Sequence, residues 1–427
     1  MRRIIAGARA CSPLRPTPGA VQPGPHQVAP TRAGILQTPP VIPTAVVQPR
    51  GEDRIRSGHP WIYRSDVADV SAEPGDVVTV MGPRHRELGH ALFSAQSQIT
   101  LRMISRDERP IDQAFWRERL QSAIRFRESL GIDATAYRLV HGEADLLPSL
   151  IVDRYADYLV LQALSQGMDR LVSAIVPLLV ELTGAKGVLA RNDPRVRLLE
   201  GLEQKVELLH GEVPETIAVR EGAITYQADP RRGQKTGLFL DQRENREAAG
   251  RYAHGALLDC FSYNGGFALA LAERCTKVDA IDVSSEAVTR ITANAAANGI
   301  TNLSAREANV FDELRHLERE GARYDTIVLD PPAFAKNKAS IPKALSGYKD
   351  VNLRALRLLS PGGYLVTCSC SYNVDEAMFA EAVYEALADA RVPVTVVEKR
   401  MQGRDHPVLL GVPETYYLKC LILRKVG

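Results

Sequence analysis

Two residues pose the chemical question. Asp330 closes the apolar run Thr326-Ile-Val-Leu and is followed by Pro331 and Pro332; Cys370 closes a second run that begins at Tyr364. The prolines stop a strand and stiffen the loop beyond the acid. If the two strands are neighbours, as consecutive elements usually are, their tips lie about 5 Å apart. A thiol beside a carboxylate suits one reaction in particular. Cytosine C5 is a poor nucleophile, but thiolate addition at C6 makes C5 enamine-like and able to attack an electrophilic methyl. The carboxylate would hold or protonate N3, and a base would then take the C5 proton so that the thiol leaves. A free thiol is only a few per cent ionised at neutral pH, so it needs activation. An inert thiol buried at a strand end is the commoner fate of cysteine, and spacing alone leaves both readings open.

A donor for that methyl has its own signal. Strand Ala256–Phe261, carrying Asp259, runs into Asn264-Gly265-Gly266, where a side chain would collide with a ligand. Strand Lys277–Asp282 follows and ends in an acid suited to the two hydroxyls of a ribose. The loop is not GxGxxG, whose glycines and helix terminus serve a pyrophosphate. S-adenosylmethionine has no phosphate and needs no such cradle, so a methyl donor is favoured over a nicotinamide.

From Lys235 onward strands and helices alternate, the mark of a parallel doubly wound α/β sheet. Helices are expected at Ala268–Arg274, Ser285–Asn298 (capped by Ser284 or Ser285) and Val351–Leu359, and a final β pair at Val394–Val397 and Tyr416–Leu423. Residues 110–230 read as a small α+β domain, with an amphipathic helix over Ile111–Leu130, a hairpin over Leu150–Gln162 and a helix around Arg170–Leu182. Residues 41–109 are short β runs between turns. Within them Arg54, Arg56, His59 and Arg64 interleave with Trp61 and Tyr63, a pattern that can hold phosphates and stack bases. Lys336 joins them as an RNA-binding candidate beyond the Asp330 loop.

Length and composition bound the rest. The 427 residues are too many for one ordinary core, and 45% hydrophobic with 24% charged is ordinary globular usage. Six cysteines without a CxxC pair argue against a disulfide scaffold or a zinc site; no metal is expected. No apolar run reaches the ~20 residues of a membrane span. Residues 1–40 are rich in proline and arginine and are expected to be a disordered extension. The formal charge of +2 hides this basic start on a slightly acidic body, so any RNA surface must be local.

Longer motifs resemble the bacterial large-subunit ribosomal RNA methyltransferases of the RlmI type over residues 45–427. They are Arg56-Ser-Gly-His59-Pro-Trp61-Ile, Gly142-Glu-Ala-Asp145, Lys235-Thr-Gly-Leu-Phe239-Leu-Asp241-Gln242-Arg243, Phe261-Ser-Tyr-Asn264-Gly265-Gly266, Asp330-Pro-Pro-Ala-Phe334, Ser369-Cys370-Ser371, and Asp405-His406-Pro followed by Tyr417-Leu-Lys419. The resemblance implies an N-terminal PUA domain (41–109), a central α+β domain (110–230) and a C-terminal class I methyltransferase domain (231–427) with a Rossmann-like sheet. It implies S-adenosylmethionine-dependent C5 methylation of a cytidine in large-subunit rRNA, in the cytoplasm, with a homodimer as the candidate assembly. Carried over residue by residue, Cys370 is the nucleophile and Asp330 the rim carboxylate. Phe239, Asp241 and Gln242 border the donor, joined by Asp259, Phe261, Asn264, Gly265, Gly266, Asp282, Asn309, Asp330 and Pro331. Ser149, Leu238 and Asn309 depart from the family pattern. Asn309 stands where an Asp often receives the adenine amino group, and its carbonyl could accept that bond without charge.

Three other readings compete. Asp-Pro-Pro also resembles the rim of nitrogen methyltransferases, so an rRNA guanine N-methyltransferase is the near alternative; Cys370 weighs against it. A non-catalytic RNA-binding assembly factor would have no reason to keep Asp282, Asp330 and Cys370 together. A nicotinamide oxidoreductase is disfavoured by the missing GxGxxG.

Overall fold

The computed structural model describes residues 43–426, so the extension expected at 1–40 lies outside the described residues. Six short strands form the first sheet: β1 (Thr44–Val47), β2 (Trp61–Tyr63), β3 (Val67–Ser71), β4 (Val77–Met81), β5 (Glu87–Phe93) and β6 (Ile99–Ser105), in the order β2-β6-β5-β4-β1-β3. Helix α1 (Pro49–Arg56) covers it, where the sequence suggested only a basic turn. Pro49 explains the start, since a proline in the first turn forfeits no hydrogen bond. Only Gly51 and Ile55 of α1 are buried, too few to show as periodicity.

Helix α2 (Gln113–Ser129) is capped by Asp112, whose side chain accepts from Phe115 N at 2.9 Å. Behind it stand β7 (Ala136–His141), β8 (Leu150–Tyr155), β9 (Tyr158–Ala163), β10 (Gly187–Asn192) and β11 (Lys205–Gly211), with α3 (Gln166–Thr183) and the short α4 (Val196–Leu199) in the connections. A hairpin, β12 (Ile217–Glu221) and β13 (Ile224–Ala228), leads to α5 (Arg243–Ala249).

The last sheet runs β16-β15-β14-β17-β18-β20-β19. Its strands are β14 (Ala256–Cys260), β15 (Lys277–Asp282), β16 (Leu303–Glu307), β17 (Tyr324–Leu329), β18 (Leu359–Ser369), β19 (Val394–Met401) and β20 (Lys419–Lys425). The first five are parallel and β20 is antiparallel to both its neighbours. Leu257, Leu258, Ile281, Ile327 and Val328 are fully buried, as central parallel strands covered on both faces must be. One face carries α8 (Val310–Arg319), α9 (Ile341–Leu358) and α10 (Glu376–Ala390); the other carries α6 (Gly266–Leu271) and α7 (Ser285–Ala297). No helix among the described residues is long and apolar enough to cross a membrane.

Two boundaries differ most from expectation. Helix α9 begins at Ile341, well before Val351, because Pro342 sits in its first turn where it is tolerated. Strand β18 begins at Leu359 rather than at the expected Tyr364 and takes in Pro361-Gly362-Gly363. Strand β14 lies between β15 and β17, so chain order reverses there and a crevice opens beyond the strands' carboxyl ends.

Candidate active site

The loop after β14 is strained by design of its sequence. Phe261 (φ 63°), Tyr263 (φ 51°) and Gly265 (φ 80°) are all left-handed, costing roughly 1 kcal/mol or more for each of the two non-glycines. Asp282 holds the loop: one carboxylate oxygen accepts from Tyr263 N at 2.9 Å, the other from Ser284 N at 3.0 Å. Asp259 is buried beneath it and accepts from Ala268 N at 3.0 Å and from the Ser262 hydroxyl; burial pushes its carboxyl up to about 7. Glycine at 265 has a reason within the fold itself. A Cβ there would meet Leu269 and Ile291 at 3.1–3.3 Å, and the left-handed backbone already demands glycine.

A cavity of about 320 Å³ lies above these strand ends. Every donor-site candidate from the sequence lines it except Gly265, and Cys370 lines it too. Strands β17 and β18 are paired neighbours, Leu329 opposite Thr367, so their tips meet as expected. The Cys370 thiol donates to the Pro331 carbonyl at 3.6 Å. Burial pushes that thiol up to about 11, and the Asp330 carboxylate adds to the rise. Asp330 is itself raised to about 6, by burial first and by Asp241 second.

The orientation of Asp330 follows from a chain of donors. Arg400 Nε donates to Asn245 Oδ1 at 3.0 Å, Asn245 Nδ2 to Gln242 Oε1 at 2.7 Å, and Gln242 Nε2 to Asp330 Oδ1 at 2.8 Å. Arginine cannot accept, so each amide in the chain has only one possible orientation.

The segment between β13 and α5 closes the cavity. Asp241 is buried and accepts from the Tyr417 hydroxyl at 2.7 Å and from the Lys235 ammonium. Burial alone would raise its carboxyl, but Lys235 and its other partners hold it well below the usual range. Its Oδ1 is buried with no hydrogen-bond partner among the described residues. An orphaned carboxylate oxygen beside the cavity, together with the acid ending β15, fits a ligand that brings an ammonium and a ribose. S-adenosylmethionine carries both. Asn309 lines the cavity while its Oδ1 also caps α8, accepting from Phe311 N at 3.0 Å and Asp312 N at 3.4 Å.

Sequence reasoning missed Lys235, Tyr417 and the two rings, Phe334 and Phe311, that join the expected Phe261 in an aromatic wall with ring centroids 5.8–6.4 Å apart. The first two stand in motifs already quoted, but nothing in their spacing shows that they share Asp241.

The basic residues near α1 are committed internally. Arg54 pairs with the buried Asp66 at 3.5 Å and stacks on Tyr63; Arg56 pairs with Glu52 at 2.5 Å. Arg64 donates to the carbonyls of Ala95, Gln96 and Ser97, and His59 faces Glu414 at 3.6 Å. Lys336, in contrast, is exposed in the loop beyond Asp330, with Lys338 and Lys343 nearby in sequence and also exposed.

Comparison with known proteins agrees with this geometry. Residues 45–106 match a PUA-like domain family, and residues 138–424 match an S-adenosylmethionine-dependent methyltransferase family. Ribosomal RNA large subunit methyltransferase I of Tolumonas auensis is 39% identical over 90% of this chain and 99% of its own length. Its counterpart from Shewanella denitrificans is also 39% identical, over 88% and 98%. A solved Streptococcus mutans protein assigned as a SAM-dependent methyltransferase shares the fold at TM-score 0.77 and 21% identity, over 90% of this chain and 100% of its own. By sequence coverage, fold and cavity, the chain belongs to the S-adenosylmethionine-dependent methyltransferase family that includes ribosomal RNA large subunit methyltransferase I.

Proposed function

We propose that this enzyme methylates C5 of a cytidine in large-subunit ribosomal RNA through a covalent Cys370 adduct. The observation that carries the reading is a cysteine thiol and a carboxylate on adjacent strand tips of one cavity, since methylation at a nitrogen needs no thiol. The named relatives support rRNA as the substrate and, with it, a cytoplasmic site of action. We divide the chain into an RNA-binding part at 41–109, a central part at 110–230 and a methyltransferase part at 231–427.

The proposed roles follow from the partners. The Cys370 sulfur forms a bond to C6, and the electron pair moves to C5. Asp330, held through Oδ1 by Gln242, presents Oδ2 to N3. Asp282 accepts from the ribose hydroxyls, and Asp241 from the ammonium. When bound, S-adenosylmethionine supplies an electrophilic methyl. A base then takes the C5 proton, the C6–S bond breaks and the thiolate leaves.

Nucleoside mass mapping of rRNA from cells lacking the gene tests the reading. Loss of one 5-methylcytidine, restored by the gene, is expected; an intact cytidine profile with a missing methylguanosine would transfer the assignment to nitrogen. Two further results are expected. Asp282→Ala should weaken donor binding by about 1–3 kcal/mol, because the ribose hydroxyls lose their acceptor and the Tyr263 loop its anchor. Calorimetry checks this, and unchanged affinity would remove the role. Replacing Lys336, Lys338 and Lys343 together by alanine should flatten the plot of log affinity for RNA against log salt by about 2, from ~0.7 per lost phosphate contact on single strands. A superimposable slope would exclude these lysines from the RNA surface.

A further inference from the structure

Cys370 needs a group to take its proton, and the strand beside it carries one. Strands β18 and β20 are antiparallel, with Ser369 opposite Lys419. The Lys419 side chain is buried, and its Nζ donates to the carbonyl of Ser371 at 2.8 Å and of Tyr417 at 2.9 Å. The amine is therefore pinned to the backbone one residue beyond the thiol. No ion pair among the described residues involves it, which is unusual for a buried lysine. Lys235, the other cation near the thiol, is already neutralised by Asp241.

We propose that Lys419 ionises Cys370: its neutral amine takes the thiol proton, and the resulting ammonium holds the thiolate. The S–H bond breaks with its electron pair left on sulfur, and a third N–H bond forms on Nζ. When the thiolate later leaves C6, the same proton can return to it. The hydrogen bonds permit this, because a neutral amine has two N–H groups for its two carbonyls and a lone pair left over. Burial also lowers Lys419 to about 8, so the neutral amine is present near neutrality; with the thiol raised to about 11 the ion pair is the minor form, drawn off as sulfur bonds to C6. The two groups titrate as a pair. Cys370 is faced by Asp330, Lys235, Asp241 and Lys419, and Lys419 by Cys370 and Asp375. Lys419 acts through Cys370 and is a positioning residue.

The inference rests on Cys370 being the nucleophile, and the test separates the two. The rate of iodoacetamide alkylation at Cys370, read by peptide mass, is followed against pH in the full-length protein. Lys419→Met and Lys419→Gln should slow it at least tenfold at pH 7.5 and move its midpoint upward, with S-adenosylmethionine binding kept within a few-fold as the check of folding. Profiles that coincide with wild type overturn the proposal even if Cys370→Ala is inactive. A fully active Cys370→Ala protein would overturn the nucleophile instead. Should neither lysine variant fold, the Lys419 Cε resonance of 13C-lysine-labelled protein gives the reciprocal reading. Its titration should shift between wild type and Cys370→Ser, and an unshifted curve also overturns the proposal.

Discussion

Replacing Cys370 by alanine is expected to lower methylation about 10³-fold or more while S-adenosylmethionine still binds within a few-fold, as loss of a covalent nucleophile does elsewhere. The substitution deletes one sulfur at the cavity rim. Its only hydrogen bond among the described residues is a weak one of 3.6 Å to the Pro331 carbonyl, so the local structure loses little. A purely structural thiol would behave in the opposite way, with a modest stability cost and normal turnover. Cys370→Ser should be as inactive as the alanine variant, because a hydroxyl is far harder to ionise than a thiol. Trapping adds a direct readout. With 5-fluorocytidine in the RNA, fluorine replaces the C5 proton and no base can remove it as a cation, so wild type should stay covalently attached on a denaturing gel and Cys370→Ala should not. Activity within threefold of wild type would end the nucleophile assignment.

What the sequence disclosed and what it withheld divide along physical lines. Local patterns were legible. Strand β15 has the expected bounds, Ser284 caps α7 by accepting from Ala287 N, and the tips of β17 and β18 meet as consecutive strands should. Elements whose burial is sparse were not, which is why α1 and the first half of α9 went unseen. Charge was the least legible property. Arg54 looked free until the buried Asp66 appeared beside it, and Arg64 until it was found bonded to three carbonyls across a strand connection. The relay joins Arg400 on β19, Asn245 on α5, Gln242 just before α5 and Asp330 just beyond β17, and no spacing rule connects positions so far apart. Gly265 shows a subtler limit. The residue type is legible as a requirement, but a positive φ and the neighbouring Leu269 impose it within the fold before any donor binds.

Asp330→Asn is the second large effect, and it should move two observables in opposite directions. The relay makes Gln242 a donor to Oδ1, so a proton on Asp330 must sit on Oδ2. Burial, with Asp241 next, raises the carboxyl to about 6, so the protonated form is populated more at neutrality than for an ordinary aspartate, and it falls away as pH rises through that value. An asparagine keeps the bond from Gln242 and can still donate to N3, but it has no proton to transfer. The methyl-transfer rate under single turnover should drop about 10²–10⁴-fold, the usual share of a general acid, with RNA affinity little changed. Meanwhile the carboxylate that raises the Cys370 thiol is gone. Removing a negative neighbour favours the thiolate, so alkylation of Cys370 at a fixed neutral pH should become faster while methylation becomes slower. A cavity damaged by misfolding would slow methylation and lose donor binding, without that selective gain in thiolate. A normal single-turnover rate would show that Asp330 does not serve the cytosine ring, and slower alkylation would show that its charge does not act on Cys370.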